Sequence, residues 1–110
     1  MNCAIAIQFL PGNTSSVEES VRIVDEVIAY IDSTGLNYYV GPFETTIEGD
    51  FDACMDVIKG CMKAGEAAGC ASMSSYVKIS YRPEGVLLTT EDKIAKYHPT
   101  DTEFSKHENA

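Results

Sequence analysis

Residues 38–49, YYVGPFETTIEG, crowd two tyrosines, a phenylalanine, two threonines and two glutamates into twelve positions around a Gly41-Pro42 break. Carboxylates accept hydrogen bonds and attract cations, hydroxyls donate and accept, and aromatic rings stack or receive a cation on their faces. No Ser/His/Asp or Cys/His arrangement of the kind used in nucleophilic catalysis is visible in the chain. His98 and His107 lie in or beside a polar C-terminal stretch and read as solvated. Cys3, Cys54, Cys61 and Cys70 form neither a CxxC pair nor a Cys/His cluster, which argues against a zinc site. Reduced, mostly buried thiols are expected instead, with Cys54 and Cys61 on one helix face but too far apart along its axis to bridge.

Elements on either side must hold this segment in place. Residues 3–10 alternate enough for a strand that ends at Pro11-Gly12. Ser16 and Glu19 have the spacing of a capping box, and Val17, Val21, Val24, Ile28 and Ile31 then recur as one helical stripe. Gly35 closes that helix as a left-handed cap, and Leu36 opens a second strand. The second strand turns at Gly41-Pro42 into a third that ends at Gly49. Asp50 is a good N-cap for a second helix with Phe51, Cys54, Ile58, Cys61 and Met62 on one face. Residues 74–83, SSYVKISYRP, alternate as a fourth strand, and Thr89 to Tyr97 form a short capped helix. Residues 98–110 lack periodicity and are expected to be a flexible polar tail after a domain spanning 1–97. The order β-α-β-β-α-β predicts an α+β, ferredoxin-like sandwich: a four-stranded antiparallel sheet with two helices on one face, plus the short C-terminal helix.

Composition bounds the reading. The 110 residues suffice for one domain, and 17 acidic against 8 basic residues leave a formal charge of −9. A chain with that balance offers no basic patch to phosphodiester backbones, so nucleic acid is excluded as a partner; a cationic small molecule is compatible. No apolar run approaches the roughly 20 residues of a membrane span. The N-terminal MNCAIAIQFLP lacks a basic n-region, so it reads as a strand of a cytoplasmic protein, with no membrane partner. The sequon Asn13-Thr14-Ser15 is read as coincidence.

Strand parity divides the sheet into two faces. Cys3, Ile5, Ile7, Phe9, Val77, Ile79, Tyr81, Ile47, Tyr38 and Val40 would face the helices. The opposite face gathers Gln8, Tyr39, Glu44, Thr46, Glu48, Tyr76, Lys78 and Ser80 over the small Ala4 and Ala6. A bulge near Pro42 would exchange Thr45 with Thr46, so both remain candidates for this open face. Three uses suit such a face: plain solvation, sheet-to-sheet dimerisation, or a ligand pocket built on that interface.

The hairpin Tyr39-Val40-Gly41-Pro42-Phe43-Glu44-Thr45-Thr46-Ile47-Glu48-Gly49 resembles that of the small YkoF-like thiamine-binding domain family. Pro11 closing the first strand, the helix start Gly49-Asp50-Phe51, the strand Val77-Lys78-Ile79 and the helix 90–97, TEDKIAKY, extend the resemblance over residues 3–97. It implies a ferredoxin-like fold, packing of sheet against sheet into dimers or tetramers, and binding of thiamine or its hydroxymethylpyrimidine half. It implies no cofactor, metal or catalytic residue.

Such a ligand makes the hairpin's composition intelligible. An aminopyrimidine presents a ring acceptor beside an amino donor, which a carboxylate, a hydroxyl or a strand amide can complement. Its ring can stack on an aromatic face, and the thiazolium's fixed positive charge favours a carboxylate or a π face. The expected ligand-binding set is therefore Gln8, Tyr39, Phe43, Glu44, Thr45, Thr46, Glu48, Lys78 and Ser80. Tyr39 is the stacking candidate, Lys78 positions a glutamate, and Gln8 and Ser80 are polar lining. Other classes fit less well. An acylphosphatase needs an arginine in the loop that here reads Pro11-Gly12-Asn13-Thr14-Ser15-Ser16, and a metal-carrying ferredoxin-like module needs a CxxC there. The alternative that stands is a structural or regulatory oligomer with no small-molecule ligand.

Overall fold

The computed structural model describes residues 1–100, so positions 101–110 of the expected tail, His107 among them, lie outside the described residues. The chain runs β1 (Cys3–Gly12), α1 (Val17–Ser33), β2 (Asn37–Val40), β3 (Thr45–Gly49), α2 (Phe51–Ala67), β4 (Ser72–Tyr81) and α3 (Thr90–Ile94), followed by a 3₁₀ turn at Ala95–Tyr97. The four strands form one antiparallel sheet in the order β2-β3-β1-β4. This is the expected ferredoxin-like α+β architecture, with α1 and α2 packed on one face.

Local chemistry accounts for the helix ends. The Ser16 hydroxyl accepts the Glu19 amide at 3.1 Å and starts α1. The expected capping box is only half made, because the Glu19 carboxylate turns instead to Arg22, at 2.6 Å. Gly35, at φ 76°, sits in the left-handed region just past α1 and donates to the Asp32 carbonyl. The Asp50 carboxylate accepts the Ala53 amide at 2.9 Å and caps α2. A complete capping box appears at α3, between Thr89 and Asp92.

The core lies between sheet and helices, built from Cys3, Ile5, Ile7, Ile47 and Tyr38 against Val27, Ile31, Cys54, Val57 and Cys61. The buried Tyr38 keeps its hydroxyl satisfied by donating to Asp32 Oδ1 at 2.8 Å. The face of α1 differs from the expected stripe. Ile23, Val27 and Ile31 are buried, whereas Val17 and Val21 are exposed and Val24 and Ile28 are half-buried at the flank. Seven Val and Ile residues give α1 two overlapping stripes. The sheet takes the one centred on Val27, because that row meets Ile5 and Ile7.

The second difference concerns the open face, which is only partly bare. After β4 the chain folds back: the Arg82 amide donates to the Asn2 carbonyl at 2.8 Å and the Leu87 amide to the Met1 carbonyl at 3.2 Å. The Thr90 amide then donates to a carboxylate oxygen of Glu48, fixing the start of α3 over the β2–β3 side of that face.

Candidate functional site

The hairpin between β2 and β3 is closed by the Gly41 amide donating to the Glu44 carbonyl at 3.0 Å, with Pro42 and Phe43 at its tip. A Cβ on Gly41 would stand 2.9 Å from that carbonyl oxygen, so glycine is what lets the turn close this tightly. Proline fixes the first tip residue, and Phe43 projects outward at 80% exposure.

Register decides which side chains share a face. Tyr39 pairs with Thr46, Thr46 with Ala6, and Ala6 with Lys78, so these four make one row across all four strands. The neighbouring row is Asn37, Glu48, Ala4 and Ser80. Thr45 pairs with Ile7 and faces the helices, where it is buried. The alternation therefore runs through Pro42 without a bulge, and Thr46 is the threonine on the open face.

Glu44 and Lys78 reach across the open face to an ion pair of 2.8 Å. Glu48 is committed inside the fold. It is 6% exposed, one carboxylate oxygen accepts the Thr90 amide, and the other accepts from Asn37 Nδ2 at 3.3 Å. Tyr39 meets His98 edge to face, with ring centroids 6.5 Å apart.

Two cavities flank the hairpin. On the open face, a cleft of about 350 Å³ is bordered by Tyr39, Phe43, Glu44 and Thr46 below and by Thr90, Lys93 and Ile94 of α3 above. On the helix side, about 310 Å³ is lined by Gln8, Glu44 and Thr45 together with apolar residues that include Val24 and Ile28 of α1. Gly41, Pro42, Phe43 and Glu44 border both. A third hollow of about 230 Å³ continues the open face from Thr46 and Lys93 toward Lys78 and Ser80.

The nine expected residues are thus distributed rather than gathered in one place. Tyr39, Phe43, Glu44 and Thr46 line the open-face cavity, Lys78 and Ser80 its extension, and Gln8 and Thr45 the helix-side cleft. Glu48 lines none of these three and instead holds α3. Thr90, Lys93 and Ile94 escaped the sequence reading, because nothing in TEDKI says which face a five-residue helix will cover. Among the described residues no group of three or more His, Cys, Asp or Glu could hold a metal ion, and no helix is long and apolar enough to cross a membrane.

Comparison with known proteins agrees with this fold. The UPF0045 protein CPE1503 of Clostridium perfringens is 40% identical over 97 residues, covering 86% of this chain and 96% of its own. The structure of a DUF77 domain of unknown function from Bacillus cereus superposes with a TM-score of 0.76 at 30% identity, covering 88% of this chain and 90% of the other. A Thermotoga maritima protein provisionally assigned to thiamine biosynthesis or salvage gives 0.74 at 29% identity, with 88% and 99% coverage. The family model described as thiamine-binding protein matches residues 5–98. The chain belongs to the thiamine-binding protein family.

Proposed function

We propose that this protein binds thiamine or its hydroxymethylpyrimidine moiety, without transforming it, in the open-face cavity between the hairpin and α3. The observation that carries the reading is that one cavity of about 350 Å³ brings together two aromatic rings, a carboxylate and a threonine hydroxyl. That volume falls within the range of about 300–1,000 Å³ typical of small-molecule sites. Tyr39 and Phe43 offer faces for a pyrimidine or a thiazolium. Thr46 and Glu44 offer the donor and acceptors that an aminopyrimidine edge needs. Lys78, paired with Glu44, holds that carboxylate over the sheet. Family membership and the thiamine-related Thermotoga neighbour support the ligand class.

We also propose that two copies associate through the uncovered part of the open face, which would shield the cavity from solvent on its exposed side. Calorimetric titration with thiamine, and separately with hydroxymethylpyrimidine, tests the reading. One site per chain with Kd near 1 μM, about −8 kcal/mol, is expected. Thr46→Ala and Tyr39→Ala should each weaken it at least tenfold, and Thr45→Val should leave it unchanged. Loss on Thr45→Val with Thr46→Ala silent would move the ligand to the helix-side cleft. Absence of binding at millimolar ligand would leave the purely structural oligomer.

A further inference from the structure

The open-face cavity does not end at Thr46. Thr46 and Lys93 also border the adjoining hollow, whose floor is Ala4 and Ala6 and whose far wall is Lys78 and Ser80. The row Tyr39–Thr46–Ala6–Lys78 crosses three interstrand gaps, a span of about 14 Å at the usual spacing of about 4.8 Å. One end of the trough is aromatic and acidic, and the other is basic and hydroxylic.

The charge at that second end is unusual for this molecule. In a chain of formal charge −9, two lysines and two hydroxyls line one hollow, and among the described residues no carboxylate does. The other described ion pairs, Arg22 with Glu19 on α1 and Lys63 with Glu66 on α2, are each local to a single helix. Lys78 is neutralised by Glu44, but Lys93 makes no ion pair among the described residues. Lysines act as point charges toward phosphate, and hydroxyls donate to its oxygens. Alanine at both floor positions leaves space for such a group against the sheet.

Resting on the binding reading above, we propose that this hollow is an anion subsite and that the preferred ligand is a phosphate ester of the thiamine or hydroxymethylpyrimidine alcohol. The heterocycle lies over Tyr39 and Thr46, and the phosphoryl group lies over Ala6 within reach of Lys93, Lys78 and Ser80. Calorimetry with thiamine, thiamine monophosphate and inorganic phosphate, on the wild type and on Lys93→Gln and Lys78→Gln, tests it. The expected result is at least tenfold tighter binding of the monophosphate than of thiamine, with a preference that shrinks as salt is raised. Lys93→Gln, at an exposed position, should erase most of that preference by weakening the monophosphate far more than thiamine. Inorganic phosphate should compete with the monophosphate and not with thiamine. Thiamine bound as tightly as its monophosphate, or a preference that survives both substitutions, would overturn the anion subsite while leaving the binding function intact. Failure of both ligands to bind would overturn the two together.

Discussion

Gly60 sits on α2 where that helix packs against α1, and a Cβ built there would fall on the Tyr30 ring and hydroxyl. Helix propensity alone says that alanine at this position should stabilise by about 1 kcal/mol. Packing says the opposite, since overfilling a fitted contact costs about 1–3 kcal/mol. We therefore expect Gly60→Ala to lower the urea midpoint, and the same substitution in a Tyr30→Ala background to raise it. Stabilisation by Gly60→Ala in the wild-type background would show that Tyr30 moves aside freely. The buried thiols give a second expectation at this scale. Burial pushes the Cys61 thiol up to about 12; burial and then the neighbouring Cys3 do the same for Cys54. An unfolded thiol ionises near 8.5, so the folded state holds protons that the unfolded chain releases. The stability linked to these groups is therefore complete below about pH 8.5 and is lost as pH rises toward about 12. Both thiols should resist a thiol-specific reagent at pH 8 in buffer and react promptly in urea. Rapid modification of either in the folded protein would contradict this account.

Elements were legible where their signals were local, and their faces were not. The alternation of β1, the caps Ser16 and Asp50, and the Gly41-Pro42 turn are statements about a few adjacent residues, and the folded chain realises each. Which stripe of α1 turns inward depends on the sheet it meets, and the half-made capping box depends on Arg22 competing for Glu19. The parity of the hairpin was recoverable only as a choice between Thr45 and Thr46, because a single inserted residue would exchange them. Glu48 illustrates the limit best. On parity it is an open-face carboxylate available to a ligand, and in the fold it holds Asn37 and the Thr90 amide forty-two residues away. Removing it should loosen α3 rather than the core. Glu48→Ala is expected to speed hydrogen exchange at Thr90 and its neighbours by at least tenfold, with the amides of β1 unaffected. Equal acceleration across the whole sheet would instead make Glu48 a determinant of global stability.

Over the whole molecule, exposed apolar surface bears on where the proposed second copy would pack. Among the large apolar residues of α1 and α2 only Val17 and Val21 are exposed, whereas on β4 Tyr76, Ile79 and Tyr81 are 69%, 52% and 46% exposed. β4 is a ten-residue strand at the edge of the sheet, with Lys78 as its one charged side chain. Native edges of that length are usually covered or heavily charged. Two modes of cover make different demands. Face-to-face packing buries Tyr76, which shares the parity of Lys78 on the open face, whereas edge-to-edge pairing also buries Ile79, which pairs with Ile5 on the helix side. The open face has the flatter floor, since Ala4 and Ala6 present only methyl groups, and of α3 only Lys93 borders the hollow on its β1–β4 half. Face packing is thus the expected mode. Sedimentation equilibrium should give a multiple of the 12.0 kDa chain mass at micromolar concentration. Tyr76→Lys should reduce it to a single chain with an unchanged circular dichroism spectrum, and Ile79→Lys should leave the assembly in place. The opposite pattern would mean that the edges pair into one continuous sheet. A wild type of single-chain mass would mean that the open face is available to solvent, and that any ligand is held by one hairpin and α3 alone.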